Sequence, residues 1–174
     1  MTYNSMINFI KDTLWSQFGA SIDMLKNAIA ACPDEAWNTN DKFFYISYHS
    51  LIFLDYYLTI PPQEISSPLP FTIAAPGTDL GEAVDDLVPN RKYSKEELHD
   101  YLESSREKCK KVIDELTEEK LQDRWKEISG DRNYPILKLL LFNMRHVQHH
   151  AAQLNMMLRQ QTNNSPGWIS SARD

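Results

Sequence analysis

The sequence predicts an all-α fold: a four-helix bundle with one long, proline-rich crossover loop between its second and third helices. Three observations carry this. Four long segments repeat apolar residues at spacings of three and four, the mark of helices with one buried face. The chain has only five glycines and few valines, so a β-rich architecture is disfavoured. Six of the nine prolines crowd into residues 60–92, which separates the helical segments into two pairs.

The first helix is expected over residues 3–31. Ile7, Ile10, Leu14, Phe18, Ile22, Leu25 and Ile29 form its stripe, and Cys32-Pro33 stops it, because the residue before a proline is driven out of helical geometry. A short turn, Asp34 to Trp37, follows. The second helix is expected over 41–59, with Asp41 as its cap and Pro61-Pro62 as its end. It carries Phe43, Phe44, Tyr45, Tyr48, Phe53, Tyr56 and Tyr57, which read first as an aromatic core layer. The loop 60–92 shows no strand alternation. Its scattered apolar residues suggest an ordered segment lying on the helices, with a short helix at Asp79–Leu87. Ser94-Lys-Glu-Glu97 is a capping box opening the third helix, 94–116. Thr117 begins a second cap and a short turn that ends before Gly130. The fourth helix runs over 135–161, with Pro135 in its first turn and Asn163-Asn-Ser-Pro-Gly closing it. Residues 1–174 read as one domain, with a flexible tail from about 163 to 174 anchored by Trp168.

Composition narrows function. Eighteen basic and 24 acidic residues leave a net charge of −6, which argues against a nucleic-acid partner, since phosphate binding needs a basic surface. Two cysteines, Cys32 and Cys109, are too few for a disulfide scaffold and read as buried, reduced thiols. No segment has the form of a signal peptide or of a membrane span, so a soluble, cytoplasmic protein without a membrane partner is expected.

The chemistry concentrates in Arg145-His146-Val-Gln-His149-His150-Ala-Ala-Gln153, which holds three of the five histidines. Taking Val147 as zero and advancing about 100° per residue, His150 falls near −60°, His146 near −100° and His149 near 200°. The pair His146 and His150 therefore lies together at one edge of the buried stripe, and His149 lies opposite. An i, i+4 pair of imidazoles suits one late transition metal. Val147 stands where a zinc protease carries the glutamate that acts as its base, so that chemistry is excluded. His49, among Ile46 and Phe53 on the second helix, is either a satisfied core histidine or a third ligand. Asp55 is six residues on, about 120° away, and a poor fourth ligand. Tyr48, Tyr57 and Gln153 are candidates for substrate contact or for plain packing. His99 sits on a charged surface and reads as exposed.

His49 in Tyr-His49-Ser-Leu-Ile-Phe-Leu-Asp55-Tyr-Tyr-Leu, the proline-rich connection, Tyr93-Ser-Lys-Glu-Glu-Leu, and Asn143-Met-Arg-His146-Val-Gln-His149-His150-Ala-Ala-Gln153-Leu together resemble the DinB superfamily across residues 5–160. The resemblance implies a metal-binding four-helix bundle in which His49, His146 and His150 hold a divalent transition metal, zinc or nickel foremost, then iron or manganese. Ala151-Ala152 stand where the family often has Arg-Gly, which removes a basic group near the site. Characterised relatives include thiol-dependent transferases and isomerases that use bacillithiol or mycothiol. The resemblance thus implies a low-molecular-weight thiol and a small electrophilic substrate as partners, and a homodimer whose surface the aromatic second helix could supply. The other function class is a non-catalytic, dimeric metal-binding bundle serving stress response or interaction.

Overall fold

The computed structural model describes residues 3–172, and its architecture is helical. Four long helices make the frame: α1 (Tyr3–Ala31), α3 (Asp41–Tyr57), α4 (Lys95–Asp114) and α6 (Ile136–Thr162). Two short ones, α2 (Asp34–Thr39) and α5 (Glu118–Gln122), sit in connections. α1 and α3 each pack against both α4 and α6, so the frame is a closed ring of four with α3 diagonal to α1. Phe18, Ile22, Leu25, Phe43, Phe44, Leu51, Leu54, Leu98, Leu139, Val147 and Leu154 fill its interior. Among the described residues no helix is long and apolar enough to cross a membrane.

The elements follow from local chemistry, with several departures from expectation. Asn40, not Asp41, caps α3: its side chain accepts the Phe43 N–H at 3.1 Å. The segment after Pro33 is a helical turn and a half rather than a simple turn, and it buries Trp37, whose indole N–H donates to the Tyr93 carbonyl at 3.2 Å. Ser94 and Glu97 form the expected capping box of α4. Pro135 lies just outside α6 as its cap residue, not within its first turn. Asn163 closes α6 in left-handed geometry, φ 56°.

The crossover loop contains structure that its prolines obscured. β1 (Phe71–Ile73) pairs antiparallel with β2 (Leu87–Pro89), and Asp79–Leu87 is not helical. Asp79 instead accepts the Gly81 N–H through its side chain, a turn that Gly81 completes at φ +56°. A second hairpin, β3 (Arg124–Lys126) with β4 (Asn133–Pro135), follows α5 and buries Trp125 completely. The residues after α6 return along α1. Ala172 donates its N–H to the Ser16 carbonyl at 2.8 Å, and Ile169 and Ala172 touch the core while Trp168 is 71% exposed. The anchor is therefore not Trp168.

Candidate metal centre

Helices α3 and α6 are ring neighbours, and this adjacency brings the candidate ligands together. Their register is pinned by buried Asn143, whose amide donates to the Leu54 carbonyl at 2.9 Å. One turn along α6 from that contact stands His146, and one turn further His150. His49 faces them from α3. Its Nε2 lies 3.1 Å from His146 Nε2, and His150 Nε2 lies 3.1 Å from the same atom. The ligand atoms of the three residues all fall within 4.8 Å of one another. His49 and His150 are largely or fully buried, and His146 is half-buried.

Each outer nitrogen has its own story. His49 Nδ1 is 2.6 Å from Asp85 Oδ2, and His150 Nδ1 is 2.7 Å from Gln153 Oε1. Both outer partners are acceptors, so each Nδ1 carries the proton and each Nε2 presents its lone pair inward. Asp85 is itself held by the Leu87 N–H, which donates to its Oδ1 at 3.0 Å. His146 Nδ1 is buried with no protein partner, and its ring is fixed by packing on Phe53 and Tyr57 at centroid distances of 5.8 and 6.4 Å.

Burial is the main cause of the site's electrostatics. It pushes the His146 imidazole down to about 3 and the His150 imidazole to about 4, with the neighbouring histidines adding to the shift. Both are uncharged at neutral pH, with one ring nitrogen left unprotonated, the state in which a metal can be bound.

The comparisons with known proteins bear on this cluster. A family model described as the DinB superfamily matches residues 17–154, most of the chain and all three histidines. The chain belongs to the DinB superfamily. No match was found among curated proteins or among solved structures.

The residues present in this DinB chain fit a divalent metal. Lone pairs on at least two Nε2 atoms point into one small space, and protons alone leave that arrangement poorly satisfied. The 3.1 Å separations match the ~3.0–3.4 Å edge between two metal–nitrogen bonds of about 2.1 Å at 90–109°. Three such nitrogens, all within 4.8 Å of one another, could hold one metal ion.

The other sequence candidates separate cleanly. His149 is exposed, in agreement with the helical phase, and its ring meets that of His150 edge-on at a centroid distance of 5.1 Å without joining the cluster of ligand atoms. His99 is 46% exposed on α4. Asp55 is taken by Lys108 Nζ at 2.6 Å and the Tyr101 hydroxyl at 3.0 Å, away from the cluster. Tyr48 donates its hydroxyl to the Leu69 carbonyl and stacks on Tyr93, so it packs the loop rather than the site. Tyr57 packs against His146, and Gln153 holds His150. Of the residue pair standing in place of Arg-Gly, Ala151 is fully buried and Ala152 is exposed. Cys32 and Cys109 are buried and unbridged; burial raises both thiols, Cys32 to about 11, so neither offers a thiolate at neutral pH.

Sequence reasoning missed Asp85. It lies in the crossover loop, 36 residues from His49, and no spacing rule links a loop carboxylate to a helix histidine. The one available signal was the rule that metal-binding histidines donate their second nitrogen to an acceptor.

Proposed function

We propose that this DinB chain holds one divalent transition metal, zinc or nickel before iron or manganese, on the Nε2 atoms of His49, His146 and His150. We further propose that it acts as a metal-dependent thiol S-transferase or hydrolase on a small electrophilic substrate. The supporting observation is the convergence of those three nitrogens while Asp85 and Gln153 take up the outer protons of two of the rings. Bound there, the ion would supply Lewis acidity and would keep a coordinated thiol or water deprotonated near neutral pH. Asp85 holds the proton at Nδ1 of His49, and Gln153 holds that of His150, so neither ring can turn its lone pair outward. Phe53 and Tyr57 cover His146 and exclude water from that side. A cytoplasmic homodimer with no nucleic-acid or membrane partner completes the reading.

One observation favours the second reading, a non-catalytic metal-binding bundle. Both oxygens of Asp85 are engaged, one by His49 and one by the Leu87 N–H, so the carboxylate that touches the cluster is not free to act as a base. Turnover separates the two. Metal-loaded and chelated protein are each given a small electrophile with cysteine or glutathione as donor. An enzyme shows metal-dependent turnover that His49→Ala abolishes while helix content holds. A structural site shows no turnover and a sharp fall in melting temperature on chelation.

A further inference from the structure

A groove of about 850 Å³ opens between α1 and α6, at the end where α5 meets them. Its floor is apolar: Met6 and Ile10 come from α1, Leu121 from α5, and Leu137, Leu141 and Phe142 from α6. Met6 and Leu141 are exposed, and Phe9, about one turn beyond Met6, is a third exposed apolar side chain beside the groove. The two long helices run in the same direction here. Met6 and Ile10 share the groove with Leu137 and Leu141, and further along Met24 meets Gln148. The floor is therefore a trough along two helices rather than a crossing point. None of the three histidines lines it, so it stands apart from the metal centre.

The rim is charged. Arg124, Lys138 and Arg145 border the groove, and among the described residues none of them is paired with a carboxylate. Arg124 donates to the side-chain and backbone oxygens of Asn133, both neutral. Lys138 Nζ lies 4.0 Å from the centre of the Tyr134 ring. Arg145 has no polar or ring partner among the described residues. Elsewhere Lys26, Arg106 and Lys108 each hold a carboxylate at 2.8 Å or less. Glu118 is the one acid of the lining. Three cations against one carboxylate leave the groove positive in a chain of net charge −6.

An apolar trough edged by unneutralised cations is complementary to a molecule with an alkyl body and an anionic head. The free guanidinium of Arg145 presents its donors as a fork that matches a carboxylate. From Arg145 back to Leu137 is eight residues, about 12 Å along the axis, the span of an extended chain of about ten carbons. Leu141 lies between them on the same face. A second copy of this chain fits less well, because a two-fold contact would set the same unpaired cations against one another. A nucleic acid gains nothing from an apolar floor.

We propose that this groove binds a free medium-chain fatty acid. Its carboxylate sits on Arg145, and its alkyl chain runs over Leu141 towards Leu137, Ile10 and Met6. Lys138 and Arg124 add to the attraction without holding the carboxylate directly.

The test uses the full-length chain with a chelator present, so that no carboxylate is held by a metal. The probes are octanoate, decanoate and neutral 1-decanol, each below the concentration at which it aggregates, and backbone amide NMR shifts report binding. Saturable shifts are expected at residues 6–10, 121–124 and 137–145. Decanoate should bind about four- to sixteenfold more tightly than octanoate, as two further partly buried methylenes require. Arg145→Gln should weaken decanoate about tenfold or more and leave 1-decanol unchanged, since only the charge-assisted bonds are lost. Leu141→Gln should weaken both. Both positions are exposed, so the fold is not at risk, and the unperturbed part of the spectrum checks it. Absence of saturable shifts at those residues overturns the proposal. So does equal decanoate affinity in wild type and Arg145→Gln. Protection of the same amides by concentration-dependent self-association, with no ligand present, also overturns it and assigns the face to a second copy.

Discussion

Asp85 governs His49 from outside the helices, and its removal should be felt at the metal rather than in the core. Asp85→Asn keeps the shape but weakens the acceptor that fixes the His49 tautomer. We expect a 10–100-fold loss of zinc affinity, measured by competition with a chromophoric chelator, and little change in helix content. The pH dependence carries a second expectation. His146 and His150 have folded values pushed down to about 3 and 4, below the ~6.5 of an unfolded histidine. The unfolded chain therefore binds protons first as pH falls, and stability present in full above ~6.5 is lost progressively between there and about 3. Urea unfolding of the chelated protein at pH 7.5 and pH 5 should differ by on the order of 4 kcal/mol, about 2 from each of these two residues. Proton competition for the metal likewise moves below the ordinary histidine range, because two of the three ligands resist protonation. The histidine cluster itself was legible in the sequence, since His146 and His150 recur at helical spacing on the edge of an apolar stripe. Asp85 and the bond from Gln153 to His150 were not, because they depend on how a loop folds over a helix face and on which rotamer a side chain adopts.

At the scale of elements, the capping box of α4 is the most self-contained device. The Glu97 N–H donates to Ser94 Oγ at 3.2 Å and the Ser94 N–H donates to Glu97 Oε2 at 2.8 Å. Arg91 also binds Glu97 through both carboxylate oxygens, although the pair is exposed and adds little. Ser94→Ala should cost about 1 kcal/mol in urea unfolding, with the site unaffected. The long helices were readable because periodicity, caps and prolines agreed. The connections were read less well for stated reasons. Asp79–Leu87 contains helix formers, but Gly81 and the Asp79 side chain favour a turn. α2 was too short for periodicity to show. The β1–β2 hairpin is closed by long-range bonds, such as the Ala74 N–H to the Asp86 carbonyl, that no local window contains. Gly19 has a different importance: a Cβ there would sit 2.5 Å from that of Ala172. Gly19→Ala should lift the final residues from α1, seen as lost amide protection at Ala172, while the bundle stays folded.

Across the whole molecule, the ring of four helices does two things at once. It buries an aromatic layer from α3, including Phe43, Phe44 and Tyr48, which leaves that helix little apolar surface for another chain. It also sets α3 beside α6, without which His49 could not meet the other two histidines. Metal bound only by the folded chain should stabilise it by about 2.7 kcal/mol at a free concentration a hundred times the Kd, seen as a rise in Tm. The central claim is that three histidines on two helices form one metal site, and calorimetric titration of metal-free protein with Zn²⁺ tests it most directly. The account predicts one ion per chain in wild type and in His149→Ala, with binding lost or severely weakened in His49→Ala, His146→Ala and His150→Ala. Unchanged binding in His49→Ala, or a loss in His149→Ala equal to that in His150→Ala, would contradict it.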